Sequence, residues 1–582
     1  MAETKALRPG MRSLAPSLAP FLAIMLSGCA GIAMPERPAP AAGLYADYLT
    51  GRYANLRRDT NVATDRYLNA LRRSPGDVVL LDGAVDTALS GGNLPAAEEA
   101  ARIAMRKGAQ TDLGRLTLAA VALRMGDYRA TEARLAEADI GSFDRLAAVM
   151  MRGWALAGRG QTDEAATIFG NAGGGGPFRA LYEYQRGLVL DYAGRNDEAL
   201  AAYQTAEMSG ARLAPALIRH VRLLERMGRG GEAETLLKTY IARAEDPDIV
   251  AELARVEAGK PASTTRLAPA DGAAIGLYSI AAALLGQSDP DFFLPFLTLA
   301  ETLDPNLSAA WIMHGEGQRQ VKQFAGARAA FARVPAASPW YETAQTRIAW
   351  IYREEGDDAQ ALAVARAIAA QSPGRLARIT LADMERASDN WAAADTLYSA
   401  LIAEAAPPTK ADWSLYFARG SSRDQLGRWA EGEADLKQAL VLSPDQPEVL
   451  NYLGYSWVDK GQNLDEALAM LRKAVSMEPD AGYIVDSLGW AHFKLGDYEI
   501  AAENLERAVE LSPEDPTLND HLGDAYWRLN RRLEARYQWQ RALTLDPAEK
   551  DKAAIELKVK QGLPDLPAPR RTARDQGRSK AN

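Results

Sequence analysis

The stretch from residue 482 to 515, GYIVDSLGWAHFKLGDYEIAAENLERAVELSPED, contains the features that decide the fold. Gly489 is its eighth residue and Ala501 its twentieth, and two such small residues let a pair of helices approach closely. Leu505, the twenty-fourth residue, fills the space beside that contact. Pro513 follows at position 32 and ends the second helix, because proline lacks an N–H group and crowds the preceding turn. The stretch therefore predicts two helices joined by a short turn.

The same pattern recurs along the chain at a spacing close to 34 residues. This period resembles that of the tetratricopeptide repeat (TPR), a helix–turn–helix unit that stacks on its neighbours because it cannot bury its apolar face alone. We therefore predict an all-α superhelical solenoid of about 14 repeats, with six over residues 44–247 and eight over residues 274–549. The prolines that mark the period are Pro305, Pro339, Pro373, Pro407, Pro444, Pro479, Pro513 and Pro547.

Three segments fall outside this frame. Residues 248–273 contain KPASTTRLAPADG and are expected to form an irregular linker between two repeat arrays. Residues 550–563 are expected to form a polar capping helix, because the last repeat would otherwise expose an apolar face. Residues 564–582 carry five basic and two acidic side chains and are expected to form a disordered basic tail.

The first 28 residues resemble a bacterial lipoprotein signal peptide. A basic start precedes an apolar run over residues 14–26, which is too short to span a membrane, and Leu-Ser-Gly-Cys then ends the segment at Cys29. This resemblance to the lipobox implies an acyl anchor such as palmitate on Cys29 and a Pro/Ala-rich spacer over residues 29–43. Ala30, rather than Asp, follows the cysteine, which in such lipoproteins implies an outer-membrane location facing the periplasm. An incidental cysteine in an ordinary signal peptide is the alternative.

Composition argues against several functions. The formal net charge of −9 disfavours nucleic acid as the main partner, and the single cysteine cannot form an internal disulfide or a thiolate metal cluster. The four histidines lack metal-ligand spacing, and His220 and His314 take a repeat position that faces the interior of the helix pair. We therefore expect a protein without enzyme activity, metal or cofactor. The oligomeric state stays open.

The first helix of each stacked repeat lines a concave surface, where a protein partner is expected to bind. Tyrosine and tryptophan are frequent anchors of protein interfaces, and the last three repeats place several of them at inward positions. For Trp490 the pattern leaves open whether the ring contacts a partner or packs between repeats, whereas packing is favoured for Trp527. The predicted groove residues are Asn451, Tyr452, Tyr455, Tyr483, Asp486, Trp490, Phe493, Asp520, His521, Asp524 and Trp527.

The run from Asn451 to Pro547, which includes NYLGYSWVDKGQNLDEALAML and NDHLGDAYWRLNRRLEARYQWQRALTLDP, resembles a proteobacterial family of TPR outer-membrane lipoproteins. Members of that group are adaptors that bind periplasmic carboxyl-terminal-processing proteases and capture their substrates, often cell-wall hydrolases. The resemblance implies a scaffold or adaptor role for this chain. A structural component of an envelope secretion, pilus or polysaccharide-export machine is the alternative, and a glycan-binding module is a third possibility.

Overall fold

A computed structural model describes residues 43–136, 142–172, 178–209, 213–263, 266–286 and 289–564. The expected signal peptide, Cys29, nearly all of the expected spacer and residues 565–582 of the expected tail lie outside these ranges. Among the described residues, none of the helices is both long and apolar enough to cross a bilayer.

The prediction of an all-α fold built from paired helices is confirmed. Over the described ranges the chain forms thirty α-helices, two short 3-10 helices and no strand. Consecutive helices pack in antiparallel pairs joined by short turns, as the 34-residue period predicts. Fourteen such pairs are present in the described chain, and α13 and α30 stand as single helices.

The helices fall into two compact units that divide between Ala377 and Arg378. The described residues up to Ala377 are called the N-terminal unit below, and those from Arg378 the C-terminal unit. The N-terminal unit contains α1 (Leu44–Leu56), α2 (Thr60–Arg73), α3 (Val78–Ser90), α4 (Leu94–Met105), α5 (Asp112–Arg124), α6 (Tyr128–Leu135), α7 (Ser142–Gly158), α8 (Thr162–Ala172), α9 (Arg179–Tyr192), α10 (Asn196–Met208), α11 (Ala214–Arg226), α12 (Gly230–Ile241), α13 (Pro247–Glu257), α14 (Pro269–Leu284), a 3-10 helix (Pro290–Phe292), α15 (Leu294–Leu303), α16 (Ser308–Gln320), α17 (Phe324–Phe331), α18 (Tyr341–Glu354) and α19 (Asp358–Gln371).

Helix α20 (Arg375–Ala387) begins three residues before the division between the units. The remaining helices are α21 (Trp391–Glu404), a 3-10 helix (Lys410–Asp412), α22 (Trp413–Gln425), α23 (Trp429–Leu442), α24 (Pro447–Lys460), α25 (Leu464–Met477), α26 (Gly482–Leu495), α27 (Tyr498–Leu511), α28 (Pro516–Arg528), α29 (Arg532–Thr544) and α30 (Glu549–Gln561).

A glycine in the first helix and a large side chain in the second hold each of several pairs together, as predicted. A Cβ atom built on Gly187 would lie 2.6 Å from Cδ1 of Tyr203, a separation that real Cβ atoms do not show. The glycine is therefore required for the close approach of α9 and α10. The same contact recurs between Gly315 and Phe331, Gly489 and Leu505, and Gly523 and Trp539.

The structure differs from the expected irregular linker over residues 248–273. Helix α13 occupies the first part of this segment, with Pro247 in its first turn and the Asp246 carboxylate accepting hydrogen bonds from the backbone N–H groups of Asp248 and Ile249. Ile249 is fully buried, and Trp340 Nε1 donates to Asp248 at 2.8 Å. Because α13 has no second helix of its own, the repeat period gives no sign of it.

The packing of helices α14 and α15 differs more strongly from prediction, since a second repeat array was expected to begin at residue 274. They pack against the inner side of α3, α5 and α7 within the N-terminal unit, and all residues of α15 are buried. Thr298 Oγ1 donates to the Leu89 carbonyl at 2.6 Å, and a Cβ on Gly272 would overlap the indole of Trp154. Both helices are predominantly apolar, as expected for helices with little exposed surface. The chain therefore fills the inner surface of its own first repeats.

Four carboxyl groups interact along α3, α7 and the first 3-10 helix. Burial, together with the charges of Asp82, Asp291 and Asp144, raises the pKa of Asp86 to about 6. Burial raises the pKa of Asp144 to about 6 as well. A carboxyl whose pKa is raised in the folded state costs stability once it ionises, so this region is less stable above pH 6 than near pH 4.

We predict that Gly187→Ala destabilises the N-terminal unit by about 1–3 kcal/mol, because the added methyl group collides with the Tyr203 ring. Gly170→Ala is the matched control, since a Cβ there meets no atom within 4 Å. The control gains helix propensity and should be neutral or stabilising by about 0.5–1 kcal/mol. Chemical denaturation followed by circular dichroism measures both, and equal stability of the two variants would contradict the close-contact account.

We predict that Asp86→Asn raises the thermal midpoint at pH 8 and has a much smaller effect at pH 4.5. The difference in free energy of unfolding between the two pH values should be on the order of 2 kcal/mol, because the ionised carboxylate is removed only where it was ionised. Asp65→Asn, at an exposed position on α2, is the control. A pH-independent effect of Asp86→Asn would contradict the assignment.

Candidate protein-binding surface

In the C-terminal unit, the residues predicted to line a binding groove lie on the first helices of three helix pairs, α24, α26 and α28. Pro447 and Pro516 stand at the starts of α24 and α28, where a missing N–H group costs nothing. Gly461 and Gly496 end α24 and α26 in the left-handed conformation. Helix α24 carries Asn451, Tyr452 and Tyr455, helix α26 carries Tyr483, Asp486, Trp490 and Phe493, and helix α28 carries Asp520, His521, Asp524 and Trp527.

Trp490 lies in a three-ring stack that joins α26 to α28. Its indole is parallel to the Phe493 ring, with centroids 4.7 Å apart, and to the His521 imidazole, with centroids 3.9 Å apart. The Lys494 ammonium lies 5.4 Å from the centroid of the Trp490 ring. The stack fixes the orientation of the indole, while the side chain of Trp490 stays only half-buried. Trp490 therefore packs between repeats, and the part of its ring that stays accessible leaves contact with a partner as a prediction.

His521 is held by a carboxylate of the preceding repeat. Its Nδ1 atom lies 3.0 Å from both carboxylate oxygens of Asp486. Burial alone would lower the pKa of His521, but the Asp486 carboxylate, together with Asp520 and Asp524, raises it above its ordinary value. The imidazolium so favoured faces the Trp490 indole, where a cation–π attraction strengthens the stack. His521 is itself buried, so it supports the surface rather than contacting a partner.

Two tyrosines of α24 extend the surface toward the preceding repeats. Tyr452 donates its hydroxyl proton to Asp424 at 3.1 Å and meets the edge of the Phe417 ring, with centroids 5.9 Å apart. Burial raises the pKa of Tyr455 to about 12, and the Asp486 charge contributes in the same direction. Tyr455 is therefore a neutral hydrogen-bond donor at any physiological pH.

The side-chain amide of Asn451 leaves an acceptor unused. Its Oδ1 atom is buried and has no hydrogen-bond partner in the described part of the chain. A buried acceptor in this state costs free energy until a donor reaches it.

Helix α30, in the segment predicted to form a capping helix, also covers the end of the predicted groove. Lys558 Nζ lies 2.7 Å from Asp520 and 2.9 Å from Asp524. Trp527 Nε1 donates to the Leu563 carbonyl at 3.2 Å, and a Cβ on Gly562 would overlap the Trp527 indole. The expectation that Trp527 packs rather than binds a partner is consistent with these contacts. Asp520, Asp524 and Trp527 are engaged within the chain and are not open groove residues.

The side chains that stay half-buried and uncovered by α30 define what we call the aromatic surface. Sequence reasoning missed two further half-buried rings on α22, Trp413 and Tyr416. The Arg419 guanidinium lies 5.5 Å from the centroid of the Tyr416 ring. These rings take other helix positions than Tyr455 and Trp490, so a fixed repeat position does not find them. The aromatic surface consists of Asn451, Tyr452, Tyr455, Tyr483, Trp490 and Phe493.

The other histidines lie in packed environments. His220 and His314 are both 3% exposed, as expected for core residues, and Nδ1 of His314 lies 3.0 Å from Glu301. His492 lies 3.2 Å from Asp497 and is also buried. Within the described ranges, no group of three or more His, Cys, Asp or Glu residues is placed to hold a metal ion.

Comparison with known proteins identifies the repeat. Residues 417–483 and 487–550 match the family model described as tetratricopeptide repeat. A TPR repeat-containing protein of Pseudomonas aeruginosa is 32% identical over 85 residues, which are 15% of this chain and 14% of that protein. The match thus spans about a seventh of the relative's length.

Solved structures similar to this chain are helical-repeat proteins with low sequence identity. A chain of the APC/C hetero-tetramer Cut9–Hcn1 aligns with 90% of this chain and 99% of its own, with 18% identity and a TM-score of 0.41. A tetratricopeptide repeat protein from Parabacteroides merdae aligns with 44% of this chain and 97% of its own, with 16% identity and a TM-score of 0.36. Both TM-scores lie below 0.5, so the function of neither protein bears on this one.

The family match lies in the C-terminal unit and covers α24, α26 and α28, the three helices that carry the aromatic surface and the residues around it. Such repeats are scaffolds for protein–protein interaction and typically have no catalytic function. The described chain is thus all-α, and it contains tetratricopeptide repeats over residues 417–483 and 487–550.

Proposed function

We propose that this protein is a membrane-anchored periplasmic scaffold that binds partner proteins through the aromatic surface of α24 and α26. The observation that carries the proposal is the half-buried Trp490 indole, which stacks on the His521 ring that Asp486 holds in place. Packing between repeats explains the stack, but it does not benefit from leaving part of the oriented indole accessible. A binding surface does, because a preorganised anchor loses little conformational entropy when a partner covers it.

The chemistry of the aromatic surface fits a polypeptide partner. Tyrosine and tryptophan combine a large apolar area with one hydrogen-bonding atom, which is the combination that concentrates binding energy in protein interfaces. Carboxylates on these helices are largely paired within the chain, so no strong charge opposes an apolar segment.

The resemblance of residues 451–547 to proteobacterial TPR lipoproteins supports a more specific role. In that role the protein recruits a periplasmic carboxyl-terminal-processing protease and its cell-wall hydrolase substrates. An acyl chain on Cys29 would confine the scaffold to the periplasmic face of the outer membrane. Holding two partners on one scaffold raises their effective concentration to about the millimolar range when the span matches, and the scaffold needs no catalytic group.

A pull-down from detergent-solubilised envelopes distinguishes the candidate roles. Retention of a processing protease together with hydrolases supports the adaptor role. Stoichiometric retention of secretion, pilus or export subunits instead would contradict it and favour the structural alternative.

We predict that Trp490→Ala combined with Tyr455→Ala weakens capture of the protease or its substrate by at least about 30-fold, because interface anchors of this type contribute about 2 kcal/mol or more. The matched control is Leu533→Ala combined with Tyr537→Ala, since these α29 side chains are 84% and 66% exposed and lie away from the aromatic surface. Retention is quantified by mass spectrometry, and circular dichroism checks folding. Unchanged capture by a folded Trp490/Tyr455 variant would remove this surface from the proposal.

We predict that Cys29→Ser moves the protein from the membrane fraction to the soluble fraction, because serine cannot receive the acyl chains that provide the anchor. Fractionation with a carbonate wash, followed by immunoblotting, measures the shift. A variant that still sediments with membranes after the wash would refute the lipid anchor and leave the aromatic surface unaffected.

A further inference from the structure

An open cavity of about 330 Å³ lies in the N-terminal unit between α4, α5 and α6. Its volume is at the lower end of the range of small-molecule sites. Leu81, Met105 and Leu118 provide apolar walls, and the only basic side chains among the lining residues are Arg115 and Arg134. None of the lining residues contributes to the aromatic surface, which belongs to the other unit.

Small side chains line much of the cavity. Helix α6 is only eight residues long, and it presents Ala130 and Ala133 to the space. Gly114 on α5 sits opposite Ala101 on α4, with 3.7 Å between a Cβ built on the glycine and the alanine Cβ. No bulky residue therefore fills the space between these helices.

Arg134 has hydrogen-bonding capacity that the described chain does not use. Its Nε atom is buried and has no hydrogen-bond partner, and its Nη1 atom lies 3.0 Å from Met105 Sδ, a weak acceptor. Neither Arg134 nor Arg115 forms an ion pair within the described residues, unlike Arg102 on the neighbouring helix, which pairs with Glu98. A buried guanidinium donor without an acceptor indicates that an acceptor is missing.

The electrostatic surroundings favour an anion. The chain is acidic as a whole, yet residues 101–136 contain seven basic and three acidic side chains. Those three acids are already engaged: Glu132 pairs with Arg159, Asp127 caps α6, and Asp112 also has an interaction partner. Thr111 and Gly114, at the start of α5, also line the cavity. The positive end of the α5 helix dipole therefore faces it and favours an anion.

We propose that this cavity binds an aliphatic carboxylate. The carboxylate accepts hydrogen bonds from the guanidinium groups of Arg134 and Arg115, whose planar fork matches its two oxygens. The chain lies against Leu81, Met105 and Leu118. The cavity volume of about 330 Å³ is compatible with a chain of medium length, and decanoate is the probe chosen to represent it.

Isothermal titration of the purified full chain with decanoate, below its micelle concentration, tests the proposal. We expect saturable binding of one decanoate per chain and at least tenfold weaker binding of decanol, which has the same chain and no charge. Equal binding of decanoate and decanol, or no binding of decanoate, would overturn the proposal. Binding of a peptide with a carboxyl-terminal leucine, but not of decanoate, would overturn it in favour of a polypeptide terminus.

Three variants locate the binding. Arg134→Gln should weaken decanoate binding at least tenfold, and Arg129→Gln, which removes an exposed arginine of the same helix that does not line the cavity, should leave it unchanged. Ala133→Trp should abolish binding by filling the cavity from an exposed position on α6, which keeps the test valid if Arg134→Gln fails to fold. Wild-type decanoate affinity in a folded Ala133→Trp variant would exclude this cavity.

Discussion

The close approach of two helices over a glycine is the contact on which the remaining structure depends. In several pairs the glycine of the first helix lies sixteen residues before the large side chain that covers it, as with Gly187 and Tyr203 or Gly523 and Trp539. The ring can lie flat against the first helix only because no Cβ stands in its way. Each pair then presents one apolar edge to the next pair, and stacking follows because that edge has no other way to leave water.

Stacking of this kind produces long inner surfaces, and the chain itself covers part of them. In the N-terminal unit, α14 and α15 fill the inner side of α3, α5 and α7. In the C-terminal unit, α30 covers Trp527, and its Lys558 forms ion pairs with Asp520 and Asp524. What stays accessible on α24 and α26 is an ordered set of half-buried rings. The candidate site is therefore defined as much by these internal coverings as by the repeats that carry it.

The sequence predicts those parts of the structure that depend on local and periodic features. The all-α class, the helix pairs and the contacts between glycines and large side chains follow from spacing, because each involves residues within one repeat. The location of α14 and α15 does not, since Thr298 bonds to Leu89 across 209 residues and no periodic pattern encodes that pairing. The same holds for the candidate site: the positions of Tyr455 and Trp490 were predictable, whereas the pairing of Lys558 with Asp520, 38 residues earlier, was not.

The insertion of α14 and α15 also sets an order of events during folding. The inner faces of the first repeats, which include Leu89 and Trp154, find their partners only when the ribosome has produced the chain as far as Leu303. Until then the apolar inner faces of these repeats stay exposed to solvent. Nascent chains with such surfaces are prone to aggregate. A stacked array can in principle fold from its N-terminal end during synthesis. In this chain the first repeats are complete only after α14 and α15 have been synthesised.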